Sequence, residues 1–71
     1  MGKELAAIVY HLQKIDKKQI EIRLRIDEIG YGDNVGNNVE MIRDRTTEIG
    51  DEILAIGDIL MQLGAKEDSD G

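Results

Sequence analysis

The chain predicts an all-α fold, two long helices folded back on one another as an antiparallel hairpin with a coiled-coil seam. Three observations predict it. Apolar residues alternate at steps of three and four along two stretches, those stretches are equal in length, and one Gly/Asn-rich interval separates them. The composition agrees. A third of the residues are charged, only 3% are aromatic, and there is no Pro, Trp, Phe or Cys. That is the balance of a long-helix protein; an aromatic core, disulfides and thiolate metal sites are excluded.

The first stretch carries Leu5, Ile8, Leu12, Ile15, Ile22, Ile26 and Ile29, with Gln19 at the one interruption. No helix breaker intervenes, so the spacing predicts a helix over 3–29. With Leu5 at heptad position a, the a series is Leu5, Leu12, Gln19, Ile26 and the d series is Ile8, Ile15, Ile22, Ile29. A period of 3.5 held this strictly marks a packing seam.

Residues 30–37, Gly-Tyr-Gly-Asp-Asn-Val-Gly-Asn, predict a loop, because Gly and Asn reach positive φ at little cost. Asn37 followed three positions later by Glu40 fits a capping box and predicts a second helix from 38. Asp33-x-x-Gly36 offers an earlier start. The second helix repeats the pattern, with Val39, Thr46, Ile53 and Leu60 at a and Ile42, Ile49, Ile56 and Leu63 at d. Gly64 predicts its stop. Residues 65–71 form an acidic tail without periodicity, expected to be disordered.

Antiparallel pairing sets an a layer of one helix against a d layer of the other. One register does this throughout: Leu5 with Leu63, Ile8 with Leu60, Leu12 with Ile56, Ile15 with Ile53, Gln19 with Ile49, Ile22 with Thr46, Ile26 with Ile42 and Ile29 with Val39. A lone hairpin leaves half of this seam open, and Val9, Tyr10, Ile20, Leu24, Met41, Leu54, Ile59 and Met61 lie off it. Burying a Leu or Ile is worth about 1.5–3 kcal/mol. The expected answer is a homo-oligomer, two hairpins or more closing a four-helix-type bundle.

Charge bounds the partners. Residues 1–30 hold six Lys/Arg against five Asp/Glu, whereas residues 31–71 hold three against ten, for a formal net charge of −6. General affinity for nucleic acid or anionic membrane is not expected. No run approaches the length of a membrane span and the start lacks a signal-peptide core, so a cytoplasmic location is expected.

Several features bear on function. Gln19 and Thr46 interrupt the seam in adjacent layers and suit a buried polar layer that fixes register and oligomeric state, with a ligand contact inside the bundle as the alternative. Gly50, Gly57 and Gly64 recur every seven residues at position e, beside the seam. Each costs the helix about 1 kcal/mol relative to Ala, which predicts a close neighbour against the backbone, either an assembly contact or a groove for a partner. A local duplication (Ile49-Gly50-Asp51, Ile56-Gly57-Asp58) without a special role is the third alternative. All four arginines fall in two Arg-x-Arg pairs, Arg23/Arg25 and Arg43/Arg45, at one height near the loop. Such a belt suits carboxylate or phosphate, and equally ordinary surface ion pairs. Tyr31, between two loop glycines, is the loop's best contact residue for a partner.

Catalysis finds little support. His11 is the only histidine and has no second ligand beside it, Ser69 is the only serine, and no metal or cofactor is expected. Glu48-x-x-Asp51 ahead of an apolar run resembles half of the metal-binding pattern of MazG-like nucleotide pyrophosphohydrolases. The upstream Glu-x-x-Glu which that pattern requires is absent, so the assignment is rejected.

In outline the hairpin with its acidic tail resembles the Rop-type plasmid RNA-binding proteins. That resemblance of architecture implies a dimer with a basic face, for which Lys14, Lys17, Lys18 and Arg25 would serve. In shape the chain is also similar to small phage hairpin proteins that sequester cyclic nucleotides. The expected function is non-enzymatic: an oligomeric interaction or regulatory protein that binds a protein partner through a helical face or its loop. An anion- or nucleotide-binding oligomer using the arginine belt ranks second, and an RNA-binding dimer third.

Overall fold

The computed structural model describes the backbone of residues 2–70 and the side chains of residues 2–65. Two helices, α1 (Gly2–Gly30) and α2 (Val35–Asp70), make up the described chain, with no strand among those residues. They pack along their lengths as a hairpin, a rod whose Cα trace spans 57 by 16 by 12 Å.

The turn is built by backbone chemistry that the Gly/Asn interval supplies. Asp33 N–H bonds to the Glu28 carbonyl (3.0 Å) and Gly32 N–H to the Ile29 carbonyl (2.9 Å). This is the Schellman pattern, and it satisfies the carbonyls that end α1. It requires a left-handed residue at Gly32, whose φ is +80°. Asn34 is also left-handed, at φ +43°, and its carbonyl accepts the first bond of α2 from Asn38 N–H (2.9 Å). The Asn38 side chain reaches back to the Asp33 carbonyl (2.9 Å) and is buried, with Oδ1 unpartnered.

The element bounds differ from expectation at three places. α1 gains Gly2 and Gly30. α2 starts at Val35, three residues before 38, because Asn34 and not Asn37 supplies the first carbonyl; the loop shrinks to residues 31–34. The stop at Gly64 is not made. Among the described glycines only Gly32 has positive φ, so Gly64 stays helical and α2 runs on through Ala65 to Asp70, where a disordered tail was expected. A helical glycine costs about 1 kcal/mol but ends a helix only where the chain must turn. Gly71 lies outside the described residues.

Rotation of the two helices decides what the hairpin buries. The d residues (Ile8, Ile15, Ile22, Ile29, Ile42, Ile49, Ile56 and Leu63) are half-buried between the helices. The apolar a residues stay about half exposed, from 47% at Val39 to 55% at Ile53. No apolar side chain among the described residues is fully buried. The seam is closed along its d edge and open along its a edge.

Candidate functional site

Two faces of the rod carry the features singled out by the sequence. On the first, positions g and c of both helices meet in a ridge of ion pairs. His11 Nδ1 donates to Glu52 Oε2, and Lys14 Nζ lies 3.6 Å from Glu52 Oε1. Lys18 Nζ lies 3.5 Å from Glu48 Oε1, while Arg45 contacts both Glu21 and Glu48. In the expected register Lys14 is level with Leu54, Lys18 with Gly50 and Glu21 with Thr47. Each observed partner is displaced by about half a turn, within reach of these long side chains. Lys14 also sits over the Tyr10 ring, 4.7 Å from its centroid.

These contacts set the electrostatics. A hydrogen bond from His11 holds the Glu52 carboxyl below its ordinary value, against desolvation and with help from the Lys14 charge. Arg45 does the same for Glu48, again against desolvation, with Lys18 adding to it. Contact with Tyr10 raises the Lys14 pKa, and the Glu52 charge adds to the rise. The hydrogen bonds that Arg45 donates to Glu48 and Glu21, in that order of effect, raise its own pKa. A shallow groove over this ridge is lined by Lys14, Lys17, Lys18, Glu21, Arg45 and Glu48, mixed in sign throughout. Among the described residues no three His, Cys, Asp or Glu gather in a way that would hold a metal ion.

The arginine belt is divided by the rotation of the helices. Arg45 is committed to Glu21 and Glu48, and Arg25 pairs with Glu28 at 3.5 Å. Arg23 and Arg43, both at position e, are exposed and make no ion pair among the described residues. Position e borders the open a edge, so these two guanidinium groups lie on the second face.

That second face is apolar and uncharged along much of its length. It joins Leu5, Leu12 and Ile26 of α1 to Val39, Ile53 and Leu60 of α2. Gln19 and Thr46 lie exposed on it, and the Thr46 hydroxyl donates to the Ile42 carbonyl of its own helix (2.8 Å). Gly50, Gly57 and Gly64 flank it. A Cβ built at any of the three meets nothing within 4 Å, so the close neighbour expected from their spacing does not come from within the hairpin. Tyr31 projects at the loop end, 85% exposed.

Sequence reasoning missed the ion-pair ridge. The signal was present in the charged residues at g and c, basic on α1 at His11, Lys14 and Lys18 and acidic on α2 at Glu48 and Glu52. No helix among the described residues is long and apolar enough to cross a membrane. Comparison with protein-family models, with curated proteins and with solved structures finds no match.

Proposed function

We propose that the protein is a non-enzymatic interaction module. Its hairpins associate through the open a edge into a four-helix-type bundle, which docks a protein partner on an outer helical face or the loop. One observation carries this reading: the apolar a residues run the length of both helices on the same side and each stays about half exposed. Covering a Leu or Ile fully is worth about 1.5–3 kcal/mol, so association of this face is the largest stabilisation open to the molecule. Sedimentation equilibrium tests it, on the parent chain and on Ile53→Asp. The parent is expected to associate at micromolar concentration and Ile53→Asp to dissociate. A parent that stays a folded monomer would refute the reading.

A second reading, a small-anion or nucleotide-binding oligomer, is favoured by Arg23 and Arg43, whose guanidinium groups are exposed and without ion pairs among the described residues. A thermal-shift screen with phosphate, nucleotides and cyclic nucleotides tests it. A stabilisation that disappears in Arg23→Ala/Arg43→Ala would move this reading to first place. The RNA-binding reading is weakened by the ion pairs of Lys14, Lys18 and Arg25, which leave Lys17 as the one cation of its basic face without an ion-pair partner among the described residues.

A further inference from the structure

We infer that the occupant of the open face is a second copy of this chain laid in the opposite direction, with the two loops at opposite ends of the bundle. The inference rests on the pairing of hairpins proposed above and adds its orientation, which the charges on the face decide.

The open face of α1 carries one acid and one base at position e, Asp16 and Arg23. Both are exposed, and neither has an ion-pair partner among the described residues. They are seven residues apart on the same helix, about 10 Å along its axis, beyond direct pairing with each other. Laying α1 against α1 of a second copy in the opposite direction overlaps the whole helix. Leu5 then lies level with Ile29 of the second copy, Leu12 with Ile22 and Ile26 with Ile8, an a layer against a d layer each time. Within the hairpin the g–c pairs meet two positions from their level, and the one pair of like heptad positions, His11 with Glu52, both at g, meets five positions away. The same offset on the opposite flank brings Asp16 to Arg23 of the second copy, and Arg23 to its Asp16. Two ion pairs form from four unpaired charges.

α2 obeys the same symmetry. Against α2 of the second copy, Val39 lies level with Leu63, Ile53 with Ile49 and Leu60 with Ile42. The offset brings Gly50 to Gly57 of the second copy, so two bare stretches of backbone meet where close approach is possible. Arg43 faces Gly64, just ahead of the acidic run Glu67-Asp68-Ser69-Asp70. The two-fold axis falls at Lys17 in the first register and at Asp51 in the second. The register expected from the sequence sets those two residues side by side, so that in it one axis serves both pairs of helices.

Placing the loops at the same end does worse. It sets α1 against α2 of the second copy, where Arg23 and Asp16 face Gly50 and Gly57 and gain no partner. It also gathers Arg23 and Arg43 of both copies at one end, four like charges with no acid at the facing e positions.

The test is a charge exchange read together with a distance. Arg23→Asp and Asp16→Arg are each expected to weaken association about tenfold in sedimentation equilibrium, with the helix content of the hairpin retained. The double variant is expected to recover the parent value, because its ion pairs re-form with signs reversed. Independently, spin labels on Tyr31→Cys, the only cysteine in an otherwise unaltered chain, are expected to lie about 40 Å or more apart, the length of α1. A dimer with labels within about 20 Å, a mixture of short and long distances, or no recovery in the double variant overturns the orientation and leaves association standing. A folded monomer at every concentration overturns both, and a different protein then becomes the occupant of the face.

Discussion

His11 of α1 donates through Nδ1 to Glu52 of α2, joining residues 41 positions apart across the middle of the hairpin. With Lys14 beside it, the pair ties the helices at a level remote from the loop. Because Glu52 and Glu48 are held below the ordinary carboxylate value of 4.5 in the folded chain, their contribution to stability is present above that value. It is lost as pH falls through the lowered folded value. The melting temperature is therefore expected to decline on acidification below about pH 4.5. Glu52→Gln should melt below the parent at neutral pH and converge on it in acid; circular dichroism melts across the range would show this. A constant gap between the two would mean that the ion pair does not act in the folded state.

Gly32 sits at the left-handed position that closes α1. A side chain there costs about 1–2 kcal/mol, so Gly32→Ala is expected to lower stability by that amount in denaturant titration. Gly36→Ala, in the first turn of α2 where a Cβ meets nothing within 4 Å, is expected to be neutral or stabilising.

Gly57→Ala separates the hairpin from its assembly. Inside the hairpin the new methyl meets nothing within 4 Å beyond its own helix backbone, and exchanging Gly for Ala in a helix gains about 0.5–1 kcal/mol. Helix content at high dilution should rise. In the proposed bundle the same methyl would intrude where the backbones are brought together, so association should weaken. Opposite signs in circular dichroism at dilution and in sedimentation at micromolar concentration are the expected outcome. Parallel gains in both would exclude the glycine flank from the interface.

Asn38 is fully buried and spends its amide on the Asp33 carbonyl. Asn38→Asp replaces that donor with an acceptor and is expected to cost about 1–3 kcal/mol. Asn37→Asp next to it is exposed and should change stability by less than about 0.5 kcal/mol. Equal effects at the two positions would remove Asn38 from the turn's mechanism.

The hairpin was legible because two seven-residue rhythms of equal length and one cluster of Gly and Asn permit little else. Its bounds were less so. Asn34 and Asn37 are both acceptable caps, and the choice falls to the left-handed geometry that Asn34 adopts after Gly32. Gly64 reads as a stop by residue type, yet nothing in the fold makes the chain turn there. The rotation of the helices escaped the apolar pattern altogether, since Leu, Ile and Val occupy a and d alike. It follows from the charges at g and c, which draw that flank together and leave a outside. That rotation divides the arginines, committing Arg25 and Arg45 to acids while setting Arg23 and Arg43 beside the open edge.

The rod's proportions, 57 Å by 16 Å by 12 Å, have a hydrodynamic consequence. So elongated a particle drags more solvent than a sphere of equal mass and elutes early against globular standards, imitating a larger species. Bundling side by side doubles the mass at nearly unchanged length, so the frictional ratio falls and the sedimentation coefficient rises more steeply than for self-similar growth. End-to-end joining raises the frictional ratio instead. The shape term in a velocity experiment, commonly discarded on the way to a mass, thus reports which surface of this molecule has been covered.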